Sequence, residues 1–275
     1  MSLPADSHVH SEWSWDTPVG DMERTCEQAI RLGLPAVAFT EHVDHVSWAA
    51  PTEGPYVSAH LTAVAGDDGI VRPPGFDADG YLECVERCRE KFPGLRILSG
   101  LELGEPHWFA APTAALLHSH SFDRVLGSLH CLRDGDGVAE PWAIYPHRDA
   151  GEVLRDYLAG VVELVTTCDS FAVLAHIDYA LRSWPGADVR DFEEEFRAAL
   201  RATAGTQRAL EINTRIPLAA VLLRWWREEG GDAVSFGSDA HLPDLVGHGF
   251  REAAAMAEAY GFRPGRHPYE LWGRA

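Results

Sequence analysis

Histidine and acidic side chains are concentrated in short patches of the chain, each at a point where a β-strand is predicted to end. The patches cover residues 6–10, 40–42, 100–102, 127–130, 174–176 and 237–241. No cysteine occurs in them, and imidazole with carboxylate but no thiolate suits Zn, Mn or Fe bound for hydrolysis better than a structural zinc site. The sequence therefore predicts a buried multinuclear metal site in a hydrolase.

The first and last patches share one spacing, since His8 and His10 are two residues apart, as are Asp239 and His241. A lone histidine near a strand end is more often a hydrogen-bonded loop residue than a metal ligand. Several such patches in this order favour ligation instead. The shared spacing indicates that the first and last strands are neighbours and close a ring of strands around shared ions.

The composition fits one compact domain over residues 1–275. A chain of 275 residues that is 46% hydrophobic can bury a large core, and α/β barrels of this size commonly form one domain. The five cysteines are odd in number and scattered, and the N-terminus has no cationic stretch before an apolar core, so we expect a cytoplasmic protein. The absence of a long apolar run argues against a membrane span. The net charge of −19 disfavours nucleic-acid polymers as partners.

Short apolar runs alternate with stretches of helical spacing. The pattern predicts strands over 5–8, 35–39, 95–98, 124–126, 171–175, 209–212 and 233–236, and helices over 22–32, 81–91, 113–119, 152–166, 189–203, 218–229 and 242–260. Seven βα pairs in regular alternation indicate a parallel sheet. Because the patches lie at the carboxyl ends of these strands, the fold class is predicted to be an α/β barrel with its metal site on that face.

The longest irregular stretch covers residues 43–79 and begins directly after His42. Long loops in compact domains are often functional, so this stretch is predicted to be a lid over the site. A surface excursion without such a role is the alternative.

Taken together, the motifs resemble those of the polymerase and histidinol phosphatase (PHP) superfamily over nearly the whole chain. The matching residues are His8, His10, the run 40–42, Glu102, His130, His176 and the run 238–241. The runs 6–10, 14–16 and 238–247 are most similar to the stand-alone histidinol-phosphate phosphatase branch. The resemblance implies a distorted (β/α)7 TIM-like barrel that carries three metal ions.

The resemblance also implies a ligand set for two to three divalent ions of Zn, Mn or Fe. The first ion would be held by His8, His10, Glu102 and Asp239; the second by Glu102, His130 and His176; the third by Asp16, His42 and His241. Glu102 would therefore bridge two ions. Asp16 has a second interpretation, because an Asp at this point could instead cap the helix that follows.

The expected reaction is hydrolysis of a small phosphate monoester. Divalent ions outweigh the charge of three carboxylates and leave the centre positive, which suits a phosphate dianion. A metal-bridging hydroxide would attack phosphorus directly, with Glu102 and Asp239 as catalytic ligands. The sequence has no Cys-x5-Arg loop of a cysteine phosphatase and no G-x-S-x-G serine nucleophile elbow. L-histidinol phosphate is the substrate that the resemblance favours.

Two arginines are candidates for binding the phosphate, because a guanidinium binds phosphate oxygens in pairs. Arg182 follows His176 by six residues and Arg215 follows the predicted sixth strand, although a solvated arginine is the alternative for each. Asn213 could orient a substrate group. The run 215–217 departs from the phosphatase branch, which tends to carry a small residue and a glycine there. An acidic or aromatic pocket for histidinol could use Glu41, Asp44, Trp48 and Trp108.

Other functions would require different features of the sequence. A phosphatase or phosphodiesterase for nucleotides would keep the same metals, but an exonuclease needs an open basic groove. An amidohydrolase usually needs a bridging lysine from a middle strand, and no lysine follows Lys91. A non-catalytic binding module would be expected to have lost ligands. The identity of the metals, the oligomeric state and the group that protonates the leaving group are not determined by the sequence.

Overall fold

The computed structural model describes residues 3–52, 57, 59–184 and 186–275. Its strands in chain order are β1 (Asp6–Val9), β2 (Ala36–Val43), β3 (Trp48–Ala49), β4 (Ile70–Val71), β5 (Arg96–Gly104), β6 (Arg124–Ser128), β7 (Leu132–Asp134), β8 (Gly137–Ala139), β9 (Val173–Leu174), β10 (Ala209–Asn213), β11 (Ala233–Gly237), β12 (Phe262–Arg263) and β13 (Trp272–Arg274). Its α-helices are α1 (Met22–Leu32), α2 (Ala59–Val64), α3 (Ala78–Lys91), α4 (Ala110–Ser119), α5 (Pro141–Ile144), α6 (Ala150–Thr167), α7 (Glu193–Gly205), α8 (Ala220–Glu228) and α9 (Phe250–Ala259). Short 3₁₀ turns lie at Tyr179–Ser183, Val189–Phe192 and Pro243–Leu245.

Seven parallel strands form the main sheet in the order in which they occur along the chain. The order is β1-β2-β5-β6-β9-β10-β11, followed by the antiparallel strands β13 and β12. Two short antiparallel pairs, β3 with β4 and β7 with β8, stand apart from it. Because consecutive parallel strands pair directly, their carboxyl ends all meet at one edge of the sheet. The predicted set of seven parallel strands is confirmed.

The sheet curls so that its first and last parallel strands meet near their carboxyl ends. Val9 and Ala240 form an isolated parallel bridge. The His10 N–H donates to the Ala240 carbonyl over 2.9 Å, and the Asp239 N–H donates to the His8 carbonyl over 2.8 Å. The fold is thus a curled parallel α/β sheet, and the loops that follow β1 and β11 are hydrogen-bonded neighbours.

The helices begin and end where their sequences provide the usual signals. The side chain of Asp21 accepts a hydrogen bond at the start of α1, and Asp149 does the same at the start of α6. Gly33, with φ of 73°, ends α1 in the left-handed conformation that glycine adopts without strain. Between helices and sheet lies an apolar core in which Trp225 and Trp226 are fully buried.

Several element bounds differ from the predictions. Strands β2 and β5 pair from Ala36 with Arg96 to Val43 with Leu103, so the patches 40–42 and 100–102 lie inside strands instead of after them. The helix predicted over 242–260 starts only at Phe250, because Gly249 has a left-handed backbone and a 3₁₀ turn precedes it. The predicted helix over 189–203 begins as a 3₁₀ turn and continues as α7. The pair β7–β8 and the strands β12 and β13 were not predicted.

The stretch 43–79 forms a small cluster of its own beside the carboxyl edge of the sheet. It contains β3, β4 and α2, with Val46, Trp48 and Val71 packed on Cys131. Residues 53–56 and 58 of the predicted lid lie outside the described residues. That the stretch opens and closes stays a prediction. Among the helices of the described ranges, none combines the length and apolar character needed to cross a bilayer.

Candidate metal centre

All nine predicted ligands gather at the carboxyl edge of the sheet. They lie in or after six of the seven parallel strands, with Asp16 in the loop after β1; the nine are His8, His10, Asp16, His42, Glu102, His130, His176, Asp239 and His241. The side chains are buried or half-buried. Residues that are far apart in the sequence are therefore brought into one cluster because parallel strands end at the same edge.

Glu102 is the centre of this cluster. Its carboxylate is 1% exposed and lies 2.7 Å from His176 Nε2, 3.1 Å from His8 Nε2 and 3.2 Å from His130 Nε2. Burial by itself raises the pKa of this carboxyl, but the field of the surrounding histidines, His8 foremost, holds the pKa well below its usual range. Glu102 is thus ionised and positioned between two groups of imidazoles.

His8, His10 and Asp239 form the first group of ligand atoms. The two Nε2 atoms lie 3.1 Å apart, and Asp239 Oδ1 lies 3.6 Å from His10 Nε2 and 4.0 Å from His8 Nε2. Asp239 has φ of 53°, a left-handed conformation that costs energy in a residue other than glycine. The main-chain bond from Asp239 to His8 holds this conformation in place.

A second group joins His8, Glu102 and His176, and a third joins His10, His42 and His241. Asp16 belongs with the third group, because its Oδ2 lies 3.0 Å from His241 Nε2 and 3.5 Å from His42 Nε2. The alternative role for Asp16 as a helix cap is wrong, since Asp21 caps the helix that follows.

The donor atoms fit divalent metal ions. Two imidazole nitrogens that face each other at 3.1 Å, with a carboxylate oxygen within 3.4 Å of both, converge their lone pairs on one point. Nδ1 of His42 and Nδ1 of His176 are buried and have no hydrogen-bond partner within the part of the chain that the structure describes. A cation can interact at once with the converging lone pairs of His8, His10 and Glu102, which a single proton cannot do.

Asp44 is a member of the cluster that the sequence analysis did not assign to the metals. Its Oδ2 lies 3.4 Å from His42 Nδ1, its Oδ1 lies 3.6 Å from His130 Nδ1, and Trp15 Nε1 donates to it over 2.8 Å. The signal was present in the sequence, because Asp44 follows His42 by two residues, the spacing that also relates His8 to His10.

The two predicted arginines both reach this cluster. Arg182 Nη2 donates to Asp239 Oδ2 over 2.7 Å, and Arg215 Nη1 donates to Asp239 Oδ1 over 3.3 Å. The Arg182 side chain is 17% exposed and that of Arg215 is 49% exposed. Neither is an isolated solvated side chain. Arg215 is nevertheless the more hydrated of the two.

A cavity of about 750 Å³ opens directly onto the cluster and both arginines. Its other walls include the rings of Trp15, Trp48 and Trp142 and the carboxylates of Asp44 and Glu140. Burial raises the pKa of Glu140, while a hydrogen bond from the Tyr179 hydroxyl opposes that shift. The cavity is therefore lined by two arginines beside Asp239 and also by aromatic rings and carboxylates.

Only part of the predicted substrate pocket lines this cavity. Asp44 and Trp48 do so, whereas Glu41 is completely buried behind His10 and accepts hydrogen bonds from Ser11 and Ser14. Trp108 packs under Arg133 in the cluster beside Cys131. The placement of Glu41 and Trp108 at the substrate pocket is therefore wrong. Both were chosen by residue type alone, without information on which way each side chain points.

Fold and site together define a known family. The PHP domain family matches residues 6–215, and the chain belongs to this family. The resemblance inferred from the motifs is thus confirmed. Among curated relatives, the histidinol-phosphatase of Lactococcus lactis is 26% identical over 269 residues, which cover 94% of this chain and 91% of that protein. A probable histidinol-phosphatase of Deinococcus radiodurans is 27% identical over 274 residues, or 96% of each chain.

Solved structures agree on the fold. A crystal structure of histidinol phosphate phosphatase from Lactococcus lactis, complexed with zinc, L-histidinol and phosphate, matches 98% of both chains with a TM-score of 0.78 and 23% identity. A putative histidinol phosphatase from Listeria monocytogenes matches 90% of this chain and 99% of its own, with a TM-score of 0.71 and 18% identity. The curled sheet is therefore the fold of these phosphatases.

Proposed function

We propose that this protein is a metal-dependent phosphatase that hydrolyses a small phosphate monoester, L-histidinol phosphate before others. The observation that carries the proposal is the cavity itself, in which two arginines stand beside a buried cluster of imidazoles and carboxylates. Such a cluster suits cations, and cations together with arginines suit a phosphate dianion. The names of the curated relatives support the same activity.

The proposed ligands are the nine that the sequence predicted, and we add Asp44 as a tenth candidate. Their number favours two to three ions of Zn, Mn or Fe. When bound, these ions would lower the pKa of a shared water and neutralise charge on the phosphoryl oxygens. In this proposal Glu102 is common to two ions, because its Oε2 lies 3.1 Å from His8 Nε2 while its Oε1 lies 2.7 Å from His176 Nε2 and 3.2 Å from His130 Nε2.

Arg182 and Arg215 bind the phosphate in this proposal. Each donates to a different oxygen of Asp239, so their guanidinium groups flank one side of the cluster. A phosphate that enters the cavity there meets donors already aligned by that carboxylate. Arg182 contributes more of the binding because it is the more buried of the two.

The aromatic and acidic lining of the cavity supports an aminated, aromatic alcohol as the leaving group. L-histidinol carries an ammonium and an imidazole. Glu140 provides negative charge, and the rings of Trp48 and Trp142 provide surfaces on which an imidazole can stack. Phosphate and ammonium would then bind to different residues of one cavity, which fixes the orientation of the substrate.

For the architecture we infer one domain over residues 1–275, built on a distorted (β/α)7 barrel. The bridge between Val9 and Ala240 supports closure of the seven parallel strands. The nine ligands would then surround the carboxyl-terminal mouth of the barrel, the usual position of active sites in such folds.

The test is a substrate comparison with matched metal content. We would measure kcat/KM for L-histidinol phosphate, a sugar phosphate, a mononucleotide and bis-p-nitrophenyl phosphate, and determine bound metals by elemental analysis. A clear preference for histidinol phosphate is expected. Equal rates on all monoesters would remove the named substrate but keep the phosphatase. A preference for the diester, or less than half an equivalent of metal without activation by added metal, would contradict the class of enzyme.

A further inference from the structure

Glu41 is a buried carboxylate next to the candidate ligands that faces neither the cavity nor solvent. It lies in β2 and has no exposed surface. Its Oε1 accepts from Ser11 Oγ over 2.5 Å, and its Oε2 accepts from the Ser11 N–H over 3.0 Å and from Ser14 Oγ over 2.6 Å. All of these partners belong to the turn that follows β1. Any effect of Glu41 on the site must therefore pass through that turn.

Ser14 connects Glu41 to two candidate ligands. Its hydroxyl oxygen lies 2.6 Å from Glu41 Oε2, 3.0 Å from the main-chain N–H of His42 and 3.0 Å from His10 Nδ1. Ser14 is 3% exposed, so water does not complete these bonds. A hydroxyl has one proton to donate and two lone pairs to accept with, and all three capacities are used here.

The direction of each bond follows from the fixed donors. The amides of Ser11 and His42 can only donate, so Glu41 Oε2 is an acceptor and one lone pair of Ser14 is occupied by His42. An ionised Glu41 has only lone pairs to offer, so the Ser14 proton then points to Glu41. The remaining lone pair of Ser14 faces His10, which must carry its proton on Nδ1 and its lone pair on Nε2.

We propose that Glu41 and Ser14 are positioning residues that fix His10 in the tautomer whose Nε2 lone pair faces the metal centre. The same hydroxyl anchors the main chain of His42, so it links ligands of two different ions. His8 is held similarly, but directly, by Glu211 Oε1 at 2.6 Å from its Nδ1. Both Nε2 atoms, 3.1 Å apart, thus present lone pairs to one point.

This inference rests on the proposed metal site, and zinc alone is the probe that tests it. Wild-type protein, Ser14→Ala and Glu41→Gln are stripped of metal and titrated with zinc against a competing chelator, and the melting temperature of each metal-free protein is recorded. Ser11→Ala is the matched control, because it removes a hydrogen bond to the same carboxylate without contact to an imidazole. Loss of a partner behind a ligating histidine typically weakens metal binding by about 10- to 100-fold.

Ser14→Ala is expected to bind zinc about 10- to 100-fold more weakly than the wild type. Its melting temperature should be similar to that of Ser11→Ala. Ser11→Ala itself should bind zinc like the wild type. Glu41→Gln should also bind weakly, because its amide can donate to Ser14 and turn the serine proton toward His10. Equal zinc affinity of Ser14→Ala and Ser11→Ala would overturn the positioning role alone, whereas a wild type that binds no zinc would overturn the metal site as well. A zinc-bound wild-type crystal structure is decisive even if a variant fails to fold, since ligation by His10 Nδ1 would contradict the assigned tautomer.

Discussion

Replacing Arg182 by alanine should lower kcat/KM far more than the same change at Arg215. Arg182 is mostly buried and donates one short hydrogen bond to a carboxylate. A hydrogen bond that involves a charged group contributes about 1.5–3 kcal/mol. Since about 1.4 kcal/mol corresponds to a tenfold rate change, kcat/KM for L-histidinol phosphate should fall roughly 10- to 150-fold. Initial rates at several substrate concentrations measure this directly.

The loss of kcat/KM in Arg215→Ala is the comparison for Arg182→Ala. Its guanidinium is about half exposed and its bond to Asp239 is longer, at 3.3 Å, so water screens the charge. Exposed ion pairs contribute about 0.2–1 kcal/mol, which corresponds to a loss of roughly 1.5- to 5-fold. Metal content must be equal in both variants, because each arginine contacts a proposed ligand. An Arg215→Ala loss that equals or exceeds that of Arg182→Ala would refute burial as the property that ranks the two.

Three further outcomes follow from the structure. Glu102→Gln should lose bound metal and turnover. His267→Ala should change neither, because its ring is exposed and far from the ligands in sequence. Elemental analysis measures the bound metal and kcat/KM measures the turnover of both variants. Burial lowers the pKa values of His8 and His130, but the carboxylates around them raise both well above the usual value in the metal-free protein, so zinc must displace protons. Zinc affinity should therefore rise with pH through the neutral range and proton release should be visible with an indicator dye, while pH-independent uptake would contradict this. Tyr81→Phe should cost about 1–3 kcal/mol of unfolding free energy in urea, because it leaves a buried main-chain donor and acceptor of β2 and β5 unpaired.

The strands and the order of the ligands could be predicted because both depend on local pattern. Apolar runs bounded by turn residues identified all seven parallel strands, and parallel strands end at one edge of a sheet. His8, His10, Glu102 and Asp239 could thus be grouped without coordinates. The bounds of β2 and β5 were less predictable. Their polar ends continue as strand because cross-strand pairing and burial there override the residue types.

Other features depend on contacts that no local pattern contains. Glu211 bonds to His8 across 203 residues, and although it lies in the strand predicted over 209–212, the sequence does not specify this distant partner. Glu41 and Trp108 were misplaced for the same reason, since residue type does not state which way a side chain points. The hairpin β7–β8 was missed although the Asp-Gly repeat at 134–137 is a typical hairpin turn.

The contact between the two ends of the parallel sheet also governs when the site can form. His8 and His10 leave the ribosome early, whereas Asp239 and His241 are synthesised much later. The main chain of His10 can bind Ala240 only after that. Until then the chain carries His8, His10 and Glu102 without the carboxylate and the imidazole that follow β11. In the proposed metal site, a chain that stops before β11 lacks two of the nine proposed ligands, Asp239 and His241.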